Sequence, residues 1–164
     1  MFDSLLKILR EEIDLYNKVL HVSQVEKDAM LRSDLDEIHK ATYGEAVLRS
    51  RIEDLEQKRR SVVKDLARIF SRDGERLSLH EICELAEEPY STQFANCREH
   101  LLELAGRLSD INYSNKKLIT HRLALIRGRL SFLNNLPVVS PVYHSTGKML
   151  MTSRRIGRVL SAEF

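Results

Sequence analysis

The sequence has no long apolar run. No stretch approaches the roughly 18 apolar residues that a membrane-spanning helix needs. The opening, MFDSLLKILREEIDLY, breaks its short apolar run with charge and does not read as a secretory leader. Only two cysteines are present, Cys83 and Cys97, too few for a disulfide framework. A soluble, cytosolic chain with reduced thiols is therefore expected. Glycine and proline are scarce, at six and three residues, and aromatics make up 6% against 30% charged residues. That balance argues against a β-sandwich and for long helices.

Catalytic signatures are equally thin. There is no Gly-rich phosphate loop, no HExxH and no nucleophile elbow. A di-iron bundle needs Glu-x-x-His, and the residue three after Glu37 is Lys40. His80, Cys83, Cys97 and His100 form an H-x2-C…C-x2-H set, but the spacing is not that of a zinc finger. Cys97 also falls on an apolar stripe, where a small hydrophobe is expected. No metal or other cofactor is expected.

A chain of 164 residues suggests one domain, long enough to bury a core. The formal charge of +2 conceals an asymmetry. Residues 1–90 hold 15 Lys+Arg against 20 Asp+Glu, and residues 91–164 hold 11 against 4. A basic rear half points to a partner surface there.

Apolar residues from Leu5 to Val22 recur three and four apart, which predicts an amphipathic helix over about 3–32. Ser33 and Asp36 resemble a capping box, with Asp34 and Glu37 suited to a helix N-terminus. A second helix follows over about 35–72. Its stripe is a heptad: Leu48, Ile52, Leu55, Arg59, Val62, Leu66, Ile69. A helix that long needs a partner along its length, so an antiparallel hairpin is expected. Gly74 suits its stop.

A short helix at 78–88 ends before Pro89, and Ser91 or Thr92 is placed to cap a third long helix. Phe94, Cys97, Leu101, Leu104, Leu108, Ile111 and Asn115 form its stripe. The phase then slips by one residue, a stutter that locally unwinds a supercoil. The stripe continues as Ile119, Leu123, Ile126, Leu130 and Leu133, which a three-helix core is expected to cover. A second apolar edge, Leu118, Leu125 and Phe132, is spaced by seven and has no internal partner left. Arg122 and Arg129 lie between the two edges. Lys116, Lys117, His121, Arg122, Arg127 and Arg129 face no Asp or Glu anywhere in 111–134. An apolar ridge flanked by Arg suits an amphipathic helix of another protein. Asn115 on the seam suits either a register-fixing role or a partner contact.

From Pro137 the periodicity is lost. The fold class is thus all-α: a long helical hairpin plus a third long helix over 1–136, then a flexible basic tail over 137–164. Met149, Ile156, Val159 and Leu160 would share one face of a short tail helix if a partner received them.

In order and spacing, several stretches resemble the FlgN-like flagellar export chaperones. They are the hairpin with EKDAMLRSDLDEI near its turn, the NYSNKKLI asparagine pair with its following aliphatics, and VYHSTGKM beyond the third helix. The resemblance covers about Leu5 to Met149. It implies a cytosolic protein that is not an enzyme. Such proteins bind the C-terminal helical region of hook-filament junction proteins, keep them from premature assembly and deliver them to the export gate. A monomer or weak homodimer is compatible with that role. Cargo contacts would then fall on Asn115, Leu118, Arg122, Leu125, Arg129, Phe132, Leu136 and Tyr143. Tail contacts would fall on Met149, Ile156 and Leu160. The alternative function is a coiled-coil protein whose tail, with Lys148, Arg154, Arg155 and Arg158, binds nucleic acid or an anionic surface.

Overall fold

The computed structural model describes residues 1–70 and 77–134 in full, and the backbone of 137–143 and 149–155. Its elements in chain order are α1 (Phe2–Arg32), α2 (Leu35–Ile69), α3 (Leu79–Leu85), α4 (Tyr90–Asn134), β1 (Pro137–Tyr143) and β2 (Met149–Arg155). The body is all-α, a long antiparallel hairpin and a third long helix. The chain divides into two compact units, Met1–Lys117 and Leu118–Phe164.

In the first unit, α1 and α2 are joined by only two residues. Ser33 ends α1 in the left-handed region, at φ 61° and ψ 32°. Its N–H donates to the Met30 carbonyl, and the Asp34 N–H donates to that of Ala29. Asp34, not Ser33, is the N-cap of α2, accepting from the Glu37 N–H at 3.1 Å. Both residue types cap well, and the chain reversal decides between them: one residue must take the left-handed turn, which leaves the next to cap.

Polar contacts fix the helix directions. Glu12 pairs with Arg59, Ser23 with Glu45, and Arg32 with Glu37, so α1 and α2 run antiparallel. The Tyr90 hydroxyl donates to Asp3 at 2.7 Å, and Arg10 donates to Gln93 at 3.2 Å. Asn115 reaches Ser23 and Glu26, so α4 runs parallel to α1 up to that level.

The core lies at two levels. At the end bearing the N-terminus, Leu5, Leu6, Leu9, Leu66, Ala67, Leu77, Ile82, Phe94 and Cys97 are buried together. Helix α3 closes this end with Ile82. A reciprocal capping box holds it: Ser78 N–H donates to Glu81 Oε2 at 2.7 Å, and Glu81 N–H to Ser78 Oγ at 3.3 Å. Phe2, Phe70, Tyr90 and Phe94 pack ring to ring around it. Ser91 and Thr92 do not cap α4, which already starts at Tyr90. Ser91 donates instead to the Cys83 carbonyl, and Thr92 to Glu88. Halfway along the hairpin, Leu15, Ile52 and Leu55 form a second apolar cluster.

Between and beyond these clusters lie buried polar groups. Glu12 is almost fully buried and takes the Arg59 Nε–H at 3.0 Å. Burial is the larger influence and pushes its carboxyl above the ordinary value of 4.5, while Arg59 pulls it down. A carboxyl raised by folding favours the native state when protonated. The stability it contributes is therefore full below about pH 4.5 and is lost as pH rises through the raised native value. Relative to Glu12→Gln, which does not titrate, the native protein should gain thermal stability on acidification across that window. Melting both proteins over a pH series checks this, and a pH-independent difference would refute it.

A second polar layer crosses all three helices. Asn115 Nδ2 donates to the Ser23 carbonyl and to Glu26 Oε2, both at 3.1 Å. The Thr42 hydroxyl donates to Glu26 Oε1 at 3.2 Å, and the Ser23 hydroxyl to Glu45. Asn115 Oδ1 is buried without a partner. A buried amide of this kind fixes register at a cost in stability.

The second unit comprises Leu118–Asn134 of α4 and the two strands. Strands β1 and β2 pair antiparallel, with Pro137 opposite Arg155 and Tyr143 opposite Met149. The sequence reading has no strands in this region; in the unbound chain the backbone places Met149 at the start of β2. Val138, Val139, Val142 and Thr152 favour extended backbone, and Pro137 and Pro141 are poor in helix interiors. Gly74, Leu136, Ile156, Val159 and Leu160 lie outside the described residues.

Candidate functional site

The site is built on α4 after the Asn115 layer. Up to Asn115 the helix is sealed on one side, with Phe94, Cys97, Leu104, Ile111 and Asn115 buried. No later residue of the helix is buried. Leu118 and Arg122 are half-buried and everything else to Asn134 is exposed.

Beyond the half-buried Leu118, both apolar edges of this segment are open. Leu125 is 49% and Phe132 67% exposed, as expected for an edge without an internal partner. Ile119, Leu123, Ile126, Leu130 and Leu133, expected in the core, are exposed as well, from 43% to 60%. All of these residues belong to the second unit, and none is part of either buried core cluster. Amphipathic periodicity records which face would be buried, not whether a neighbour exists to bury it. An open apolar face of this extent is unusual on an isolated domain.

Ala124, Leu125, Gly128, Arg129, Phe132 and Leu133 line a shallow concavity of about 500 Å³ on this segment. A Cβ added at Gly128 would meet nothing within 4 Å. Glycine inside a helix costs about 0.5–1 kcal/mol relative to alanine. Gly128→Ala should therefore slow amide exchange over 118–134 by roughly twofold to fivefold. Faster exchange in the variant would show that the glycine is needed by the fold.

The charge of the segment is of one sign. Lys116, Lys117, His121, Arg122, Arg127 and Arg129 meet no carboxylate within 111–134. Lys117 Nζ lies 4.5 Å from the centroid of the Tyr113 ring, a cation–π contact at the edge of the first unit. Arg122 and Arg129 separate the two apolar edges. Of the remaining candidate contacts, Asn115 sits in the buried layer, Tyr143 and Met149 fall in β1 and β2, and Leu136, Ile156 and Leu160 are outside the described residues.

His80 and His100 are exposed, while Cys97 belongs to the core. Burial pushes both cysteine thiols up, keeping them protonated. Among the described residues no three His, Cys, Asp or Glu side chains gather in a way that could hold a metal ion. None of the described helices is long and apolar enough to cross a membrane.

Sequence reasoning missed the buried Glu12 and Ser23, although a signal existed. Both lie in phase with Leu5, Leu9, Tyr16 and Val19, at positions where apolar residues would be expected.

The helical body thus carries an exposed apolar face over 118–134 whose charged side chains are all basic. A family model described as FlgN protein matches residues 1–150, and the chain belongs to that family, one of flagellar export chaperones. Neither the curated proteins nor the solved structures contain a match.

Proposed function

We propose that this protein is a cytosolic chaperone for the C-terminal helical region of flagellar hook-filament junction proteins, and that it delivers them to the export gate. It acts by binding and not by catalysis. The observation that carries this reading is the open face of α4 over 118–134, on a chain of the FlgN family. A junction protein polymerises through amphipathic terminal segments. Such a segment, unfolded before assembly, can bury its apolar side against Leu118, Leu125 and Phe132. It gives up conformational entropy on docking, which keeps the affinity moderate and the cargo removable.

Arg122 and Arg129 set register and speed encounter more than they add affinity. Leu136 and Tyr143 continue the contact beyond α4, with Met149, Ile156 and Leu160 available to cargo or gate.

The test is capture of the tagged full-length protein from flagellated cells, followed by mass spectrometry of what co-purifies. Junction proteins retained at moderate salt are the expected result. Recovery of nucleic acid alone, released steeply by salt, would replace this reading with the anionic-surface one.

A further inference from the structure

At 3.6 residues per turn, successive side chains on a helix step by about 100°. On that wheel Leu118, Leu125 and Phe132 lie within about 40° of one another. Leu133, Ile126, Ile119, Leu130 and Leu123 fill the adjoining sector, so the apolar arc spans about 180°. Arg122 and Arg129 stand in its middle. In the first unit the same helix uses an arc of only about 100°, from Phe94 to Ile111, and that narrower arc is the one its own core seals.

One helix cannot cover the wider arc. Centred on the arginine column, it would trap two guanidinium groups in its contact and leave both outer edges wet, a costly arrangement. Centred on either ridge, it would leave the other open. Two helices, one per ridge, solve the problem, because the column then lies along the seam where the two guests meet.

The charge of the guest also follows. No Asp or Glu occurs over 111–134. A second copy of this face would set like charge against like, and the chain's own end, with Arg154, Arg155 and Arg158, is basic too. We propose that the occupant of 118–134 is a pair of helices from another protein, one seated on each ridge, carrying carboxylates along the seam that faces Arg129. This rests on reading 118–134 as the cargo face.

The test uses full-length protein and three labelled synthetic probes, followed by fluorescence anisotropy. One probe is a helical hairpin designed to accept a third helix, with Glu along its seam. The second is its isomer with Lys in place of Glu. The third is a single helix of the acidic probe. At low salt the acidic hairpin should bind at least about tenfold tighter than either other probe, with the charge preference shrinking as salt is raised. Arg129→Gln should weaken that charge preference, and Arg129→Glu should reverse it.

Equal binding of the acidic and basic hairpins would overturn the inference. So would a single helix binding as tightly as the hairpin, or no binding by any probe. Self-association of the chain that the acidic hairpin does not reverse would assign the face to a second copy and overturn it too. Capture of junction proteins without these preferences would sink the inference and leave the proposed function standing. The preferences without that capture would do the reverse.

Discussion

Leu125→Asp and Phe132→Asp are each expected to weaken partner binding by tenfold to several hundredfold while barely moving the melting temperature. Burying a large apolar side chain is worth about 1.5–3 kcal/mol, and a carboxylate placed in the interface adds a desolvation cost. In the unbound protein neither side chain is buried, so little packing is lost on substitution. Isothermal titration with captured cargo, paired with thermal melts of the variants alone, measures both quantities. If either substitution unfolds the protein, the edge belongs to the core and the site is misplaced.

Phe94→Ala should behave in the opposite way. Phe94 is fully buried, and its ring lies 5.7 Å from that of Phe2 and 6.3 Å from that of Tyr90. Its neighbours come from the start of α1, the end of α2, α3 and α4, so their collapse into the vacated space would be incomplete. The loss should be about 3–5 kcal/mol. For a chain of this size that lowers the melting temperature by roughly ten degrees or more. Partner affinity, measured well below the new transition, should hardly change. A loss of only a few tenths of a kcal/mol would mean that the aromatic cluster does not support the core.

These two outcomes separate what was legible in the sequence from what was not. The extents of α1 and α2 follow from apolar spacing, because a three/four period is a local property of the chain. The roles of Ser33 and Asp34 do not follow. Either residue type can cap, and only the left-handed turn at Ser33 assigns the roles. The strip from Ile119 to Leu133 was misjudged for a different reason. Its pattern is that of a core stripe, and only the folded chain shows that it is open. Strands β1 and β2 were hidden by the two prolines and the lack of strict alternation in PVVSPVY. The exposure of Leu125 and Phe132 was legible, because counting helices against apolar edges needs no coordinates.

The absence of any buried side chain in α4 after Asn115 has a consequence for letting go. A helical stretch with no buried side chain stands closer to its own melting point, because most helices owe their persistence to a packed face. On the proposed function, a guest on that stretch need not be prised from a rigid surface. A pull that unwinds the host from its Asn134 end would dissolve the docking platform turn by turn, while the half of the molecule containing Phe94 stays folded and ready for the next passenger.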